Sequence, residues 1–101
     1  QLSNTWLNAS ITDLSGGGAR FNSYEPLNPG DKVKIKLNFV TGGELKKLLL
    51  GANVIASEKL LNHTEKYEHR VAFTDIGKAD REDLIKFVFE QERKRRKNQS
   101  I

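Results

Sequence analysis

The chain contains no cysteine and no methionine. Disulfide staples, zinc sites built on thiolates and thiol chemistry are thereby excluded, and a reducing cytoplasm is the expected compartment. No stretch approaches the roughly 18 continuous apolar residues that a membrane span requires, and the first residues do not read as a signal peptide. Membrane insertion is therefore not expected. Aromatic side chains are few, one Trp, two Tyr and five Phe, which leaves little material for stacking on exposed bases. The length, 101 residues, suits one domain with one core. Three Asn-x-Ser/Thr triplets, at Asn8, Asn62 and Asn98, carry no weight in a chain so rich in these residues.

The net charge of +4 raises the question of nucleic acid, and the answer lies in where the charge sits. Arg93, Lys94, Arg95, Arg96 and Lys97 supply five of the 17 basic residues, leaving 12 against 13 acidic ones over the rest of the chain. The body is nearly neutral, and the basic run reads as a solvated helix end that complements the macrodipole. Nucleic acid is not an expected partner.

What is present is alternation. Leu7, Ala9 and Ile11 alternate with polar residues, predicting a half-buried strand over Thr5 to Leu14. Trp6 falls on its polar face, where it is placed to pack on a partner or stack on a purine. Gly16, Gly17 and Gly18 break that strand, and Ala19 to Asn22 resumes as a second. Asn28-Pro29-Gly30-Asp31 is a turn. Val33, Ile35, Leu37 and Phe39 then alternate against Lys32, Lys34, Lys36 and Asn38, so one face meets the core and the other water. After Thr41-Gly42-Gly43 a β segment runs from Glu44 to about Lys59, with Gly51 marking a bulge or bend. A polar loop at Asn62 and His63 leads to a strand through Tyr67, His69, Val71 and Phe73. From about Lys78 to Arg96 the period becomes helical, with Leu84, Ile85, Phe87, Val88 and Phe89 on a wide apolar face and acidic residues near its start. The fold class expected is all-β with one C-terminal α-helix, a small antiparallel β-barrel of split-barrel type.

One segment offers chemistry. In Asp13-Leu14-Ser15-Gly16-Gly17-Gly18 the Asp13 carboxylate can accept two hydrogen bonds, the pattern presented by the N–H donors of a guanine edge, and Ser15 can donate or accept. The glycines let backbone N–H groups approach a base or phosphate without an intervening Cβ. The same residues also make an ordinary hairpin turn, and the residues alone leave both readings open. Catalysis has no such candidate. A poised carboxylate pair, a serine with a histidine base, a P-loop lysine and metal-ligand spacing are all absent, so an enzyme is not expected.

Asp13, Ser15 and Gly18 fit the [D/N]-x-S-x-x-G signature of PilZ domains, the bacterial receptor modules for cyclic di-GMP, and Ile11 to Phe21 (ITDLSGGGARF) resembles that family's strand and turn. Val71 to Ile76 (VAFTDI), followed by Asp80-Arg81-Glu82 and an apolar helix, resembles its last strand and terminal helix. The likeness covers nearly the whole chain. It implies that Asp13 and Ser15 bind a guanine of cyclic di-GMP, that Gly18 shapes the turn with Gly16 and Gly17 sharing the backbone work, and that Arg20 meets a base or phosphate. No other cofactor and no metal is implied.

The family's second signature, R-x-x-x-R before the first strand, has no counterpart, since residues 1–12 contain neither arginine nor lysine. Either the arginine arm and a first barrel strand lie upstream in a longer protein, as the start at Gln1 suggests, or the domain has lost the ligand and serves protein interaction. Cyclic di-GMP binding is expected only with an intact arm. An uncompleted barrel leaves an open strand edge. A protein partner, another domain of the parent protein, a homodimer or strand exchange is expected to cover it.

Overall fold

Residues 6–61 and 65–99 are described by a computed structural model, with the elements β1 (Ser10–Leu14), β2 (Gly18–Ser23), β3 (Lys32–Thr41), β4 (Glu44–Lys59), β5 (Tyr67–Asp75) and α1 (Lys78–Gln99). The strands form one antiparallel sheet in the order β1-β2-β5-β4-β3. It is an all-β half-barrel with a single terminal helix, as the alternation implied. The loop expected at Asn62 and His63 lies outside the described residues, as does Thr5.

Strand β3 pairs with β4 over its whole length through a tight turn at Gly42 and Gly43, both at positive φ (60° and 80°), a conformation that side chains with a Cβ resist. The register places Val33, Ile35, Leu37 and Phe39 on the inner face opposite Ala52, Leu50, Leu48 and Lys46. Leu37, Phe39, Leu48, Leu50, Ala52, Val54, Val71 and Phe73 form the buried core, and α1 adds Leu84 at 0% exposure. At Gly51 the β4–β5 register shifts, so this glycine marks a bulge that bends the long strand.

Helix α1 lies on the core through part of the face that the sequence marked as apolar. Leu84 is buried and Phe87 packs on Phe39 with ring centroids 4.8 Å apart, while Ile85 and Phe89 are 49% and 60% exposed. A helix resting on a curved sheet covers a narrower stripe than the five apolar residues between Leu84 and Phe89 supply. Two polar links fix its position. Lys46 of β4 bridges Glu44 at 3.2 Å and Asp83 of α1 at 3.6 Å. The buried Thr41 hydroxyl donates to Glu90 Oε1 at 2.8 Å. Thr41→Val keeps the volume and removes that donor, so a loss of about 1–2 kcal/mol in urea unfolding is expected.

The first strand corrects an expectation. Strand β1 begins at Ser10, and the residues from Trp6 to Ala9 are not in a strand. The predicted inward residues Leu7 and Ile11 are 60% and 43% exposed. Among the described residues strand β1 is an edge with a partner on one side only, so alternation there has little core to face. Trp6 is not on a strand face at all: the Lys36 ammonium of β3 sits 4.2 Å from its ring centroid.

Candidate functional site

The Asp13–Gly18 segment forms the β1–β2 turn, and Ser15 builds it. The Gly17 and Gly18 N–H groups donate to Ser15 Oγ at 3.3 and 3.2 Å, while the Ser15 hydroxyl and backbone N–H reach the Gly18 carbonyl at 3.2 and 2.9 Å. The hydroxyl and these two N–H groups are therefore engaged within the turn. The Gly17 carbonyl accepts from Phe73 N–H at 2.9 Å, which docks the turn on β5.

The three glycines differ in what they permit. A Cβ on Gly18 would lie 2.3 Å from the Val71 carbonyl oxygen, so only glycine allows β2 to start this close to β5. A Cβ on Gly16 would meet the flexible Ile85 side chain at 2.7 Å, and one on Gly17 would meet nothing within 4 Å.

The strand registers collect the other candidate residues on the outer face, away from the core. Asp13 stands opposite Arg20, and Arg20 opposite Arg70 of β5, giving one row across three strands. All three side chains are exposed. Beside this row runs a second, of Gly18, Ala72 and Asn53, with Ser15 at its end. Asp13 and Arg20 are neighbours by register yet form no ion pair among the described residues, so the carboxylate presents its oxygens to solvent. Arg70 was not singled out in the sequence, because only the register brings it beside Arg20.

Asp13 also lines an open groove of about 840 Å³ between the two edge strands, together with Ile11 and Leu14 of β1, Leu37 and Phe39 of β3 and residues of α1. Lys94 and Arg95 are among the helix residues in that lining. Arg95 is paired with Glu92 at 2.6 Å.

One polar cluster escaped the sequence reading. His69 is fully buried beneath β2, where its Nε2 lies 3.0 Å from both the Glu25 carbonyl and Ser23 Oγ, and its Nδ1 lies 2.8 Å from Ser57 Oγ. A carbonyl can only accept, so Nε2 carries the proton and Nδ1 accepts from Ser57, a neutral imidazole. Burial lowers its pKa below the ordinary 6.5, outweighing the bond to the Glu25 carbonyl, which raises it. The signal in the sequence was its inward position in the Tyr67-x-His69-x-Val71-x-Phe73 alternation.

An open antiparallel half-barrel, capped by a terminal helix and carrying a polar turn on its outer face, defines the class of this domain. The family model for the PilZ domain matches residues 1–90, and the chain belongs to that family, one of cyclic di-GMP receptor domains. No curated protein and no solved structure gives a significant match to it. Among the described residues no helix is long and apolar enough to cross a membrane, and no group of three or more His, Cys, Asp or Glu is placed to hold a metal ion.

Proposed function

We propose that this domain is a cytoplasmic, non-enzymatic receptor module that binds cyclic di-GMP at the β1–β2 turn and regulates a partner. The observation that carries this reading is the exposed Asp13 carboxylate, unpaired among the described residues, at the edge of a face whose turn is built by Ser15 and Gly18. A carboxylate accepting two N–H donors matches the edge of guanine, and charge-assisted bonds of this kind are the stronger ones. Arg20, in the same row, is the side chain in reach of a base or phosphate. Ser15 supports the site through the turn that it braces.

Titration calorimetry with cyclic di-GMP tests the reading. Binding by the parent protein extended upstream through an arginine arm, weakened about tenfold to a hundredfold by Asp13→Asn, is the expected result, since one acceptor becomes a donor facing donors. Absence of heat from that extended chain up to millimolar ligand, or binding indifferent to Asp13→Asn, overturns it.

A second reading is a PilZ-type interaction domain without nucleotide affinity. It draws on the unpaired edges of β1 and β3 among the described residues. Silence in calorimetry, combined with self-association through the open edges, favours this second reading.

A further inference from the structure

The geometry points to Arg20 and Arg70 as a guanidinium pair that takes a phosphodiester of the ligand, so that the sheet itself supplies cationic contacts to the site. The inference rests on the receptor reading and adds a residue, Arg70, and a ligand group, the phosphate.

The two arginines are direct cross-strand neighbours on β2 and β5, pointing to the same outer face. Directly opposed side chains in an antiparallel pair have Cβ atoms about 4.5–5.5 Å apart, and like charges in that relation repel. The described ion pairs engage Lys46 and Arg95, and none engages Arg20 or Arg70. Asp13 stands in the same row on the far side of Arg20 and is not within ion-pair distance of it. Two planar donors held side by side by a rigid sheet offer up to four parallel N–H groups, which suits the oxygens of a phosphodiester and relieves the repulsion between them.

The neighbouring row supplies the independent observation. Gly18 and Ala72, opposite each other, carry no side chain beyond a methyl group, and Asn53 continues that row on β4. The face beside the arginines is therefore a low ledge, bounded by Ser15 at the turn and by the arginine row along its length. A ribose or flat ring can lie on it with its phosphate over Arg20 and Arg70 and its donor edge toward Asp13. Guanidinium planes beside such a ledge can also stack on the ring.

Two measurements on the parent protein extended upstream through an arginine arm decide the matter. In calorimetry with cyclic di-GMP, Arg70→Gln is expected to weaken binding about tenfold or more, with Arg70→Lys intermediate, because a lysine keeps the charge and loses the fork. In NMR, inorganic pyrophosphate is expected to shift the Nε–H signals of Arg20 and Arg70 well beyond those of the exposed Arg81 and Arg93, and the shift at Arg20 is expected to shrink in Arg70→Gln. Cyclic di-GMP binding that survives Arg70→Gln but is lost in Asp13→Asn overturns the pair while leaving the receptor reading in place. Pyrophosphate shifts no larger at Arg20 and Arg70 than at Arg81 and Arg93 also overturn it. Selective pyrophosphate shifts in a chain that gives no heat with cyclic di-GMP uphold the phosphate pair and sink the nucleotide reading.

Discussion

Gly18→Ala is expected to destabilise the domain by about 3 kcal/mol or more, while Gly17→Ala one residue away stays within about 0.5 kcal/mol of the parent. The contrast follows from what each added methyl meets. On Gly18 it lies 2.3 Å from the Val71 carbonyl oxygen, a backbone atom held in the β2–β5 ladder, and neither strand can move without breaking that register. On Gly17 it meets nothing within 4 Å, and Gly17 has no positive φ that would strain an alanine. For a domain of this size, 3 kcal/mol corresponds to a fall of about 12–24 °C in melting temperature. Pulling β2 away from β5 also separates Arg20 from Arg70 and tilts the Ser15 turn, so ligand binding should fall further than stability alone explains. Thermal unfolding of the two variants checks this directly. Equal melting temperatures would mean that the close approach at Gly18 is not a constraint on the fold.

The contrast also shows what the chain discloses about its own site. The signature Asp13, Ser15 and Gly18 is local, so it could be read from residues a few positions apart, and the turn that it forms is local too. The alternation Val33 to Phe39 was equally legible, because β3 has a core on one face and solvent on the other over its length. Gly51 announced its bulge for a similar reason, an isolated glycine amid apolar strand residues. Strand β1 was read too long and too buried: Leu7, Ala9 and Ile11 carry the right period, but Leu7 and Ala9 precede the strand and Ile11, at the sheet edge, stays 43% exposed. Arg70 was illegible without the register, since Arg20 and Arg70 lie far apart in sequence and meet only because β2 pairs with β5. The place of Lys94 and Arg95 beside the groove depends on how α1 crosses the core, which its apolar run left undetermined.

His69→Ala is expected to cost about 3–5 kcal/mol, the range for removing a large buried side chain. The loss has two parts. The ring packs against Phe21, with centroids 5.2 Å apart, and lies near parallel to Tyr67 at 6.2 Å, so its removal leaves a cavity between β2 and β5. It also strips the part-buried Glu25 carbonyl and Ser57 hydroxyl of a partner. His69→Phe separates the two parts, filling most of the volume while removing the ring partner of the Ser57 hydroxyl and leaving the Glu25 carbonyl only the Ser23 hydroxyl. Acid distinguishes the native residue further. The folded state holds the imidazole neutral and lowers its pKa below 6.5, whereas the unfolded chain protonates it near 6.5. Between those two values the unfolded state binds more protons, so the stabilising contribution is complete above pH 6.5 and is lost as the pH falls toward the folded pKa, with a slope of at most about 1.4 kcal/mol per pH unit. Protonating Nδ1 would turn the acceptor for Ser57 into a donor, and the groups that bond the ring are two hydroxyls and a backbone carbonyl, none of them charged. Urea unfolding from pH 7.5 to 5 should therefore show a declining stability that flattens in His69→Phe. A decline equally steep in that variant would assign the acid sensitivity to other groups and leave His69 as packing alone.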